Sequence, residues 1–301
     1  PAHRQHDQHQ RGGHEEREDG DEHAVTLGRV TGPRKSIAMT TLLDSPMNVV
    51  EALRGDRATR PPVDRTSAAG LRASLEDGLY EVLGIARPTS PIIVRSASLR
   101  RASRTMDLTS SAHGRLRGVL VNHVLRLWSV GTTVGDAFDD ALCAWRATGD
   151  DGSIALVDTM DVDERARLAT DVAAHGVTLT RSLGPIPSQW MPRSSVRANQ
   201  SLAGGNVLLR DVVDLMIGTH DRDVAQVVLF DVTTAPLGEG VERAMRYHAL
   251  VQTLRTSAVP LRTSAFSTAT GELWVRDVDH EMLTRSVGEV LACVADRWAQ
   301  P

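Results

Sequence analysis

Two apolar runs separated by a short polar turn, each carrying an aspartate, constrain this chain more than any other feature. The first is Asn206-Val-Leu-Leu-Arg-Asp-Val-Val-Asp214, ending in Leu215-Met-Ile-Gly218; the second is Gln226-Val-Val-Leu-Phe-Asp231-Val-Thr-Thr234. His220-Asp-Arg-Asp223 lies between them. Runs this short and apolar, bounded by turn residues, read as adjacent antiparallel strands. Asp214 and Asp231 stand at comparable distances from the turn, so pairing with some stagger brings their side chains within reach across the sheet. Two acids converging on one place suit a hard divalent cation, and such sites commonly serve phosphoryl chemistry.

The flanking sequence extends this pair into a sheet domain. Residues 195–202 alternate as a preceding strand, and Gly204-Gly205 supplies a tight turn. Residues 239–255 predict a helix with Ala244, Tyr247, His248, Val251 and Leu254 on one face. Strands over 260–267 and 273–278 and a helix over 281–298 follow. Upstream, helices are expected over 110–127, with His123 inside the apolar stripe, and over 136–145 and 163–175. The expected fold is mixed α/β, a central mixed sheet flanked by helices, occupying 110–301. Residues 25–109 read as a helical N-terminal region, with helical spacing over 47–53 and 68–83 and a short strand at 92–94. Residues 1–24 are charged and His/Gln-rich, which predicts a disordered tail. Arg95, Arg100, Arg101 and Arg104 fall in or beside a Ser/Arg-rich segment that reads as a solvated face, or as a phosphate contact if the protein binds a nucleic-acid backbone.

The formal net charge of −4 gives no overall pull on nucleic acid, so such binding would need a local patch. Lys35 is the only lysine among 34 lysines and arginines, which leaves a folded core without an amine unless Lys35 folds over it. No apolar stretch approaches the roughly 20 residues of a membrane span, and the first residues do not resemble a signal peptide, so a cytoplasmic protein without a membrane partner is expected. Cys143 and Cys293 are isolated thiols that suggest neither a disulfide framework nor a structural zinc. Phosphate-binding glycine loops, Gly-x-Ser-x-Gly and His-Glu-x-x-His are missing from the sequence. With aromatics at 3%, there is no base-stacking platform, and Trp190 reads as cover for a core edge.

The order helix, three strands, helix, strand, with acids on the second and third strands, resembles the core of the PD-(D/E)XK nuclease superfamily, in particular its RecB-like exonuclease branch. The resemblance spans about residues 113–278. Gly118-Val-Leu-Val-Asn-His123 is similar to the branch's helical histidine motif, Val212-Val-Asp214 to the aspartate ending an apolar strand, and Asp231-Val232-Thr233 to the acid-x-lysine motif without its lysine. Arg243-Ala-Met-Arg-Tyr247 keeps the tyrosine of the branch's Gln-x-x-x-Tyr, with arginine in place of glutamine. The resemblance implies a restriction-endonuclease-like core and Mg²⁺ or Mn²⁺ held by His123, Asp214, Asp231 and the Val232 carbonyl. It also implies DNA, in preference to RNA, as the substrate.

The departures define a second expectation. Thr233 can position water but cannot act as a base or a cation. Arg243 and Arg246 could steady phosphate charge but would not take up a proton, and they also fit as helical partners of Glu239 and Glu242. Tyr247 could be core or reach a phosphate. Taken alone, His123 reads as a core histidine. The alternative to a nuclease is therefore a catalytically degenerate member of the fold that binds nucleic acid or a protein partner.

Overall fold

The computed structural model describes residues 53–55, 60–85, 88–101, 111–149, 151–221 and 223–299. The expectations for residues 1–24, for Lys35, for all but the end of the 47–53 helix and for Arg104 lie outside them. In chain order the elements are helix α1 (Thr66–Leu83), strand β1 (Ile92–Arg95), α2 (Ser96–Arg101), α3 (Ala112–Ser129), α4 (Ala137–Arg146), α5 (Asp151–Asp158), α6 (Val162–Leu183), β2 (Arg193–Leu202), β3 (Val207–Ile217), β4 (Val228–Thr233), α7 (Glu239–Thr256), β5 (Arg262–Ser267), β6 (Leu273–Asp277) and α8 (His280–Trp298). The expected mixed α/β architecture is present, a mixed sheet between two layers of helices. Among the described residues no helix is long and apolar enough to cross a membrane.

Strands β2, β3 and β4 form an antiparallel meander, α7 crosses from β4 to parallel β5, and β6 closes one edge antiparallel to β5. One face of the sheet, through Leu215, Ile217, Val228, Phe230 and Val232, packs against α3, α4 and α6. The other, through Leu209, Val213, Met216 and Leu229, packs against α1, α7 and α8. Helix α7 has almost no polar side: residues Ala244 to Leu254 are all buried, because it lies between the sheet and the helices outside it.

Two elements differ from the sequence reading. Among the described residues of 25–109, β1 and α1 are part of the main fold: β1 pairs in parallel with the first half of β3, and Leu71, Leu75 and Leu79 of α1 join the core shared with α8. A four-residue strand between prolines and arginines carries little periodicity of its own, and its partner lies more than a hundred residues away. Helix α6 runs on past His175 to Leu183. Its Asp161 cap accepts from the Glu164 N–H at 2.7 Å, and Gly176 continues the buried stripe where a Cβ would stand 3.2 Å from Ala137. A glycine there costs helix propensity but lets the helices approach closely.

The hairpin between β3 and β4 depends on Gly218. Its φ is +87°, and a Cβ would lie 2.4 Å from the Gln226 carbonyl oxygen, a backbone atom that cannot step aside. Gly218→Ala should lower stability by more than about 1 kcal/mol, from strain and clash together. A denaturant titration measures this, and an unchanged midpoint would contradict it.

Candidate functional site: a carboxylate cluster in a notch of the sheet

Strand β3 has β2 along one edge, but its other edge is shared. β1 leaves it after the pair Arg95 with Arg210, and β4 joins it only at Leu215 with Phe230. Residues 211–214 therefore have no strand partner on that edge, and the sheet opens into a notch. The next couple in the β3–β4 register, one step beyond the last paired residues, is Asp214 with Asp231. The backbone changes at the same place. Val213 belongs to the α7-side core and Leu215 to the α3-side core, so the alternation of faces reverses at Asp214. Ser195, which the register sets opposite Asp214, has φ +52°. The reversal frees the Asp214 side chain from both packed faces and turns it into the notch.

The two acids meet there, close enough for each to shift the other's protonation. Asp214 Oδ1 accepts from Asn122 Nδ2 of α3 at 3.0 Å, and Oδ2 accepts from the Val232 N–H at 2.9 Å. Asp231 faces two cations. Arg100 of α2 contacts its Oδ2, and His248 Nε2 of α7 stands 3.4 Å from the same oxygen. The other ring nitrogen of His248, Nδ1, lies 2.8 Å from both oxygens of Asp211 on β3. Asp211, Asp231 and His248 are each 5% exposed or less.

In this low-polarity setting the protonation states diverge. Burial, and then the charge of Asp231, push the Asp214 carboxyl well above the usual carboxylate range. Burial opposes ionisation of Asp231 as well, but His248 and Arg100 outweigh it and hold that group well below the range. Burial would strip the proton from His248, yet Asp211 and then Asp231 raise it to about 10. The notch thus sets an ionised Asp231 against an imidazolium and a guanidinium, beside an Asp214 carboxyl that its surroundings bias toward the protonated form.

The remaining sequence candidates lie elsewhere. His123 neighbours Asn122 but points to another side of α3, where its ring stacks on Trp145 with centroids 6.1 Å apart; burial, with a contribution from Arg126, depresses its pKa. The Thr233 hydroxyl accepts from the Ala235 N–H at 3.2 Å, tightening the exit from β4. Arg243 pairs with Glu239 at 2.6 Å, and the buried Arg246 pairs with Glu289 at 2.7 Å and Glu242 at 3.5 Å. The Tyr247 hydroxyl lies 2.9 Å from the Val94 carbonyl and 3.1 Å from that of Arg210, donating its proton where it ties β1 to β3; burial raises its pKa. These contacts give Arg243 and Tyr247 structural partners within the fold. Arg100, His248, Asp211 and Asn122 are the site residues the motif comparison passed over. The available signal was chemical: a histidine on the apolar face of a helix and a second aspartate in an apolar strand both need a buried partner.

The donor set does not fit a divalent cation. Both oxygens of Asp214 already accept hydrogen bonds, Asp231 is flanked by two cations, and the His123 ring lies against Trp145. Among the described residues no group of three or more His, Cys, Asp or Glu side chains is arranged to hold a metal ion. No known protein family matches the sequence, and no curated protein does. Among solved structures, SSO0001 is 10% identical over 73% of this chain and 84% of its own, with a TM-score of 0.28. Rai1 of Scheffersomyces stipitis is 10% identical over 76% and 67%, with a TM-score of 0.23. Likenesses this slight bear on neither fold nor function.

His248 links stability to pH. Its proton is held more tightly in the folded chain, at about 10, than at its ordinary value of 6.5. The resulting stabilisation is complete below about pH 6.5 and lost as pH rises through about 10. The melting temperature should fall across that window, and His248→Gln should remove that part of the slope. An equal slope in both proteins would show that His248 is not the linked group.

Proposed function

We propose that this chain is a nuclease-fold protein that binds nucleic acid, DNA in preference to RNA, without hydrolysing it. The observation that carries this reading is that the acid pair is already met by the protein's own groups: Asn122 and the Val232 N–H donate to Asp214, and Arg100 contacts Asp231 with the His248 ring 3.4 Å from the same oxygen as a counter-charge. Support for the PD-(D/E)XK resemblance comes from the element order, a helix, the β2–β3–β4 meander, a crossover helix and a parallel strand, with the two acids on the second and third strands of the meander. Support for loss of cleavage comes from the lysine position, where the Thr233 hydroxyl is engaged with Ala235. A buried carboxylate flanked by two cations is a structural ion cluster, strongly destabilised when one partner is removed.

A second reading, a Mg²⁺- or Mn²⁺-dependent nuclease, is favoured by one observation, the convergence of Asp214 and Asp231 at the notch. It requires Arg100 to withdraw from Asp231. Cleavage of DNA that depends on Mg²⁺ or Mn²⁺ and vanishes in Asp231→Ala would establish it and displace the first. Under the first reading, titration calorimetry with Mn²⁺ gives no binding heat, and labelled DNA is retained uncut.

The two readings also predict opposite stability changes. Where protein cations fill the site, Asp231→Asn strands Arg100 and His248 and should cost about 3 kcal/mol. Asp214→Asn keeps one of the two accepted hydrogen bonds and turns its NH2 toward the other donor, so it should cost about 1–2 kcal/mol, less than Asp231→Asn. In a pair of carboxylates awaiting a metal, either substitution would relieve repulsion and stabilise the protein. Urea denaturation of both variants decides between them.

A further inference from the structure

The face of the sheet beside the notch carries arginines that the fold does not use. Arg95 at the end of β1 and Arg210 on β3 are direct cross-strand partners, Asn199 of β2 is opposite Arg210 on its other side, and Arg197 lies two residues along β2 on the same face. All four are exposed. Among the described residues no acid pairs with any of the three arginines. Like charges placed directly opposite each other on neighbouring strands destabilise a sheet, so an unbalanced Arg95–Arg210 pair with a third arginine nearby is a cost to folding alone.

A ligand of opposite charge would recover that cost. The arginines line an open groove of about 350 Å³ whose other walls include Ser96, Asn199, Asp211 and Val212. Val212 is 47% exposed and lies between Arg210 and Arg197, giving the groove an apolar strip among guanidinium groups. Guanidinium forks match phosphate oxygens in pairs, and an exposed aliphatic side chain can lie against a sugar or a base face. The groove is about two strand spacings wide, roughly 10 Å, which suits one backbone rather than a double helix. Asp211 belongs both to its wall and, through His248, to the carboxylate cluster, so a strand lying here passes beside the notch.

Resting on the nucleic-acid-binding reading, we propose that this groove, with Arg95, Arg197 and Arg210 as phosphate contacts, holds the sugar-phosphate backbone of a single nucleic-acid strand. The rest of the chain's surface charge gives no such pull, since the net charge is −4.

The test is fluorescence anisotropy of a labelled single-stranded oligonucleotide, and of the duplex of the same sequence, across a salt series, with the full chain and the triple variant Arg95→Ala/Arg197→Ala/Arg210→Ala. The single strand should bind more tightly than the duplex. The triple variant should lose at least about tenfold in affinity at low salt, and the slope of log affinity against log salt should shrink by about 2, from about 0.7 per phosphate contact. Because the substitutions remove a repulsion at exposed positions, the variant should melt at or above the parent's temperature, which separates lost binding from lost folding. Parent binding that persists unchanged in the folded triple variant overturns the groove and leaves the binding-module reading standing. A parent that binds neither oligonucleotide overturns both. Tighter binding of the duplex overturns the single-strand assignment. Binding of poly-glutamate by a parent that ignores nucleic acid assigns the face to an acidic protein and overturns the proposal.

Discussion

The alternating charges Asp211, His248, Asp231 and Arg100 are the interaction around which the centre of this molecule is organised. Each comes from a different element: β3, α7, β4 and α2. An ionised group removed from water is tolerated only with an opposite charge against it, so these elements must meet in one arrangement for any of the four charges to be accommodated. The cluster fills the stretch of β3 that has neither β1 nor β4 beside it and is paired along one edge only, to β2. Hydrophobic layers on both faces supply the bulk of the stability, and the ion cluster determines how α7 and α2 sit on the sheet.

That arrangement bears directly on what the notch can do. A pair of carboxylates prepared for a metal would have free oxygens directed at a common point and a cost of mutual repulsion relieved by the ion. Here the repulsion is relieved in advance, by the bias of Asp214 toward its protonated form and by the two cations at Asp231. The same arginine-rich, lysine-poor composition that removes a base from the motif supplies Arg100 as a fixed counter-charge. Arginine suits that role because it does not give up its proton on burial, as a lysine would tend to do. On the neighbouring face Arg95, Arg197 and Arg210 are left without such partners, so the inner arginine is neutralised within the fold and the outer three face solvent.

The candidate site was only partly legible in the sequence. The hairpin and the meeting of Asp214 with Asp231 followed from run length and distance to the turn, because neighbouring strands joined by a short loop have few registers open to them. Helical periodicity located α3 and α7 but could not orient them to within one residue. Successive side chains on a helix point about 100° apart, and that single step separates Asn122, on Asp214, from His123, on Trp145. It likewise separates Tyr247, which ties strands together, from His248, which carries the charge. The short strand at 92–94 was legible, but its parallel pairing with β3 was not, because four residues carry too little pattern to choose a partner more than a hundred residues away.

By itself, the sequence determined what depends on near neighbours: the apolar runs that form strands, the caps and stripes of the helices, the mixed α/β class, and the placing of two acids beside one turn. Only the tertiary structure decided which charges face those acids. Arg100 lies 131 positions from Asp231, and His248 lies 37 from Asp211. Pairing over such separations is fixed by how whole layers pack, since a buried charge accepts whichever counter-charge the packing brings within a few ångströms.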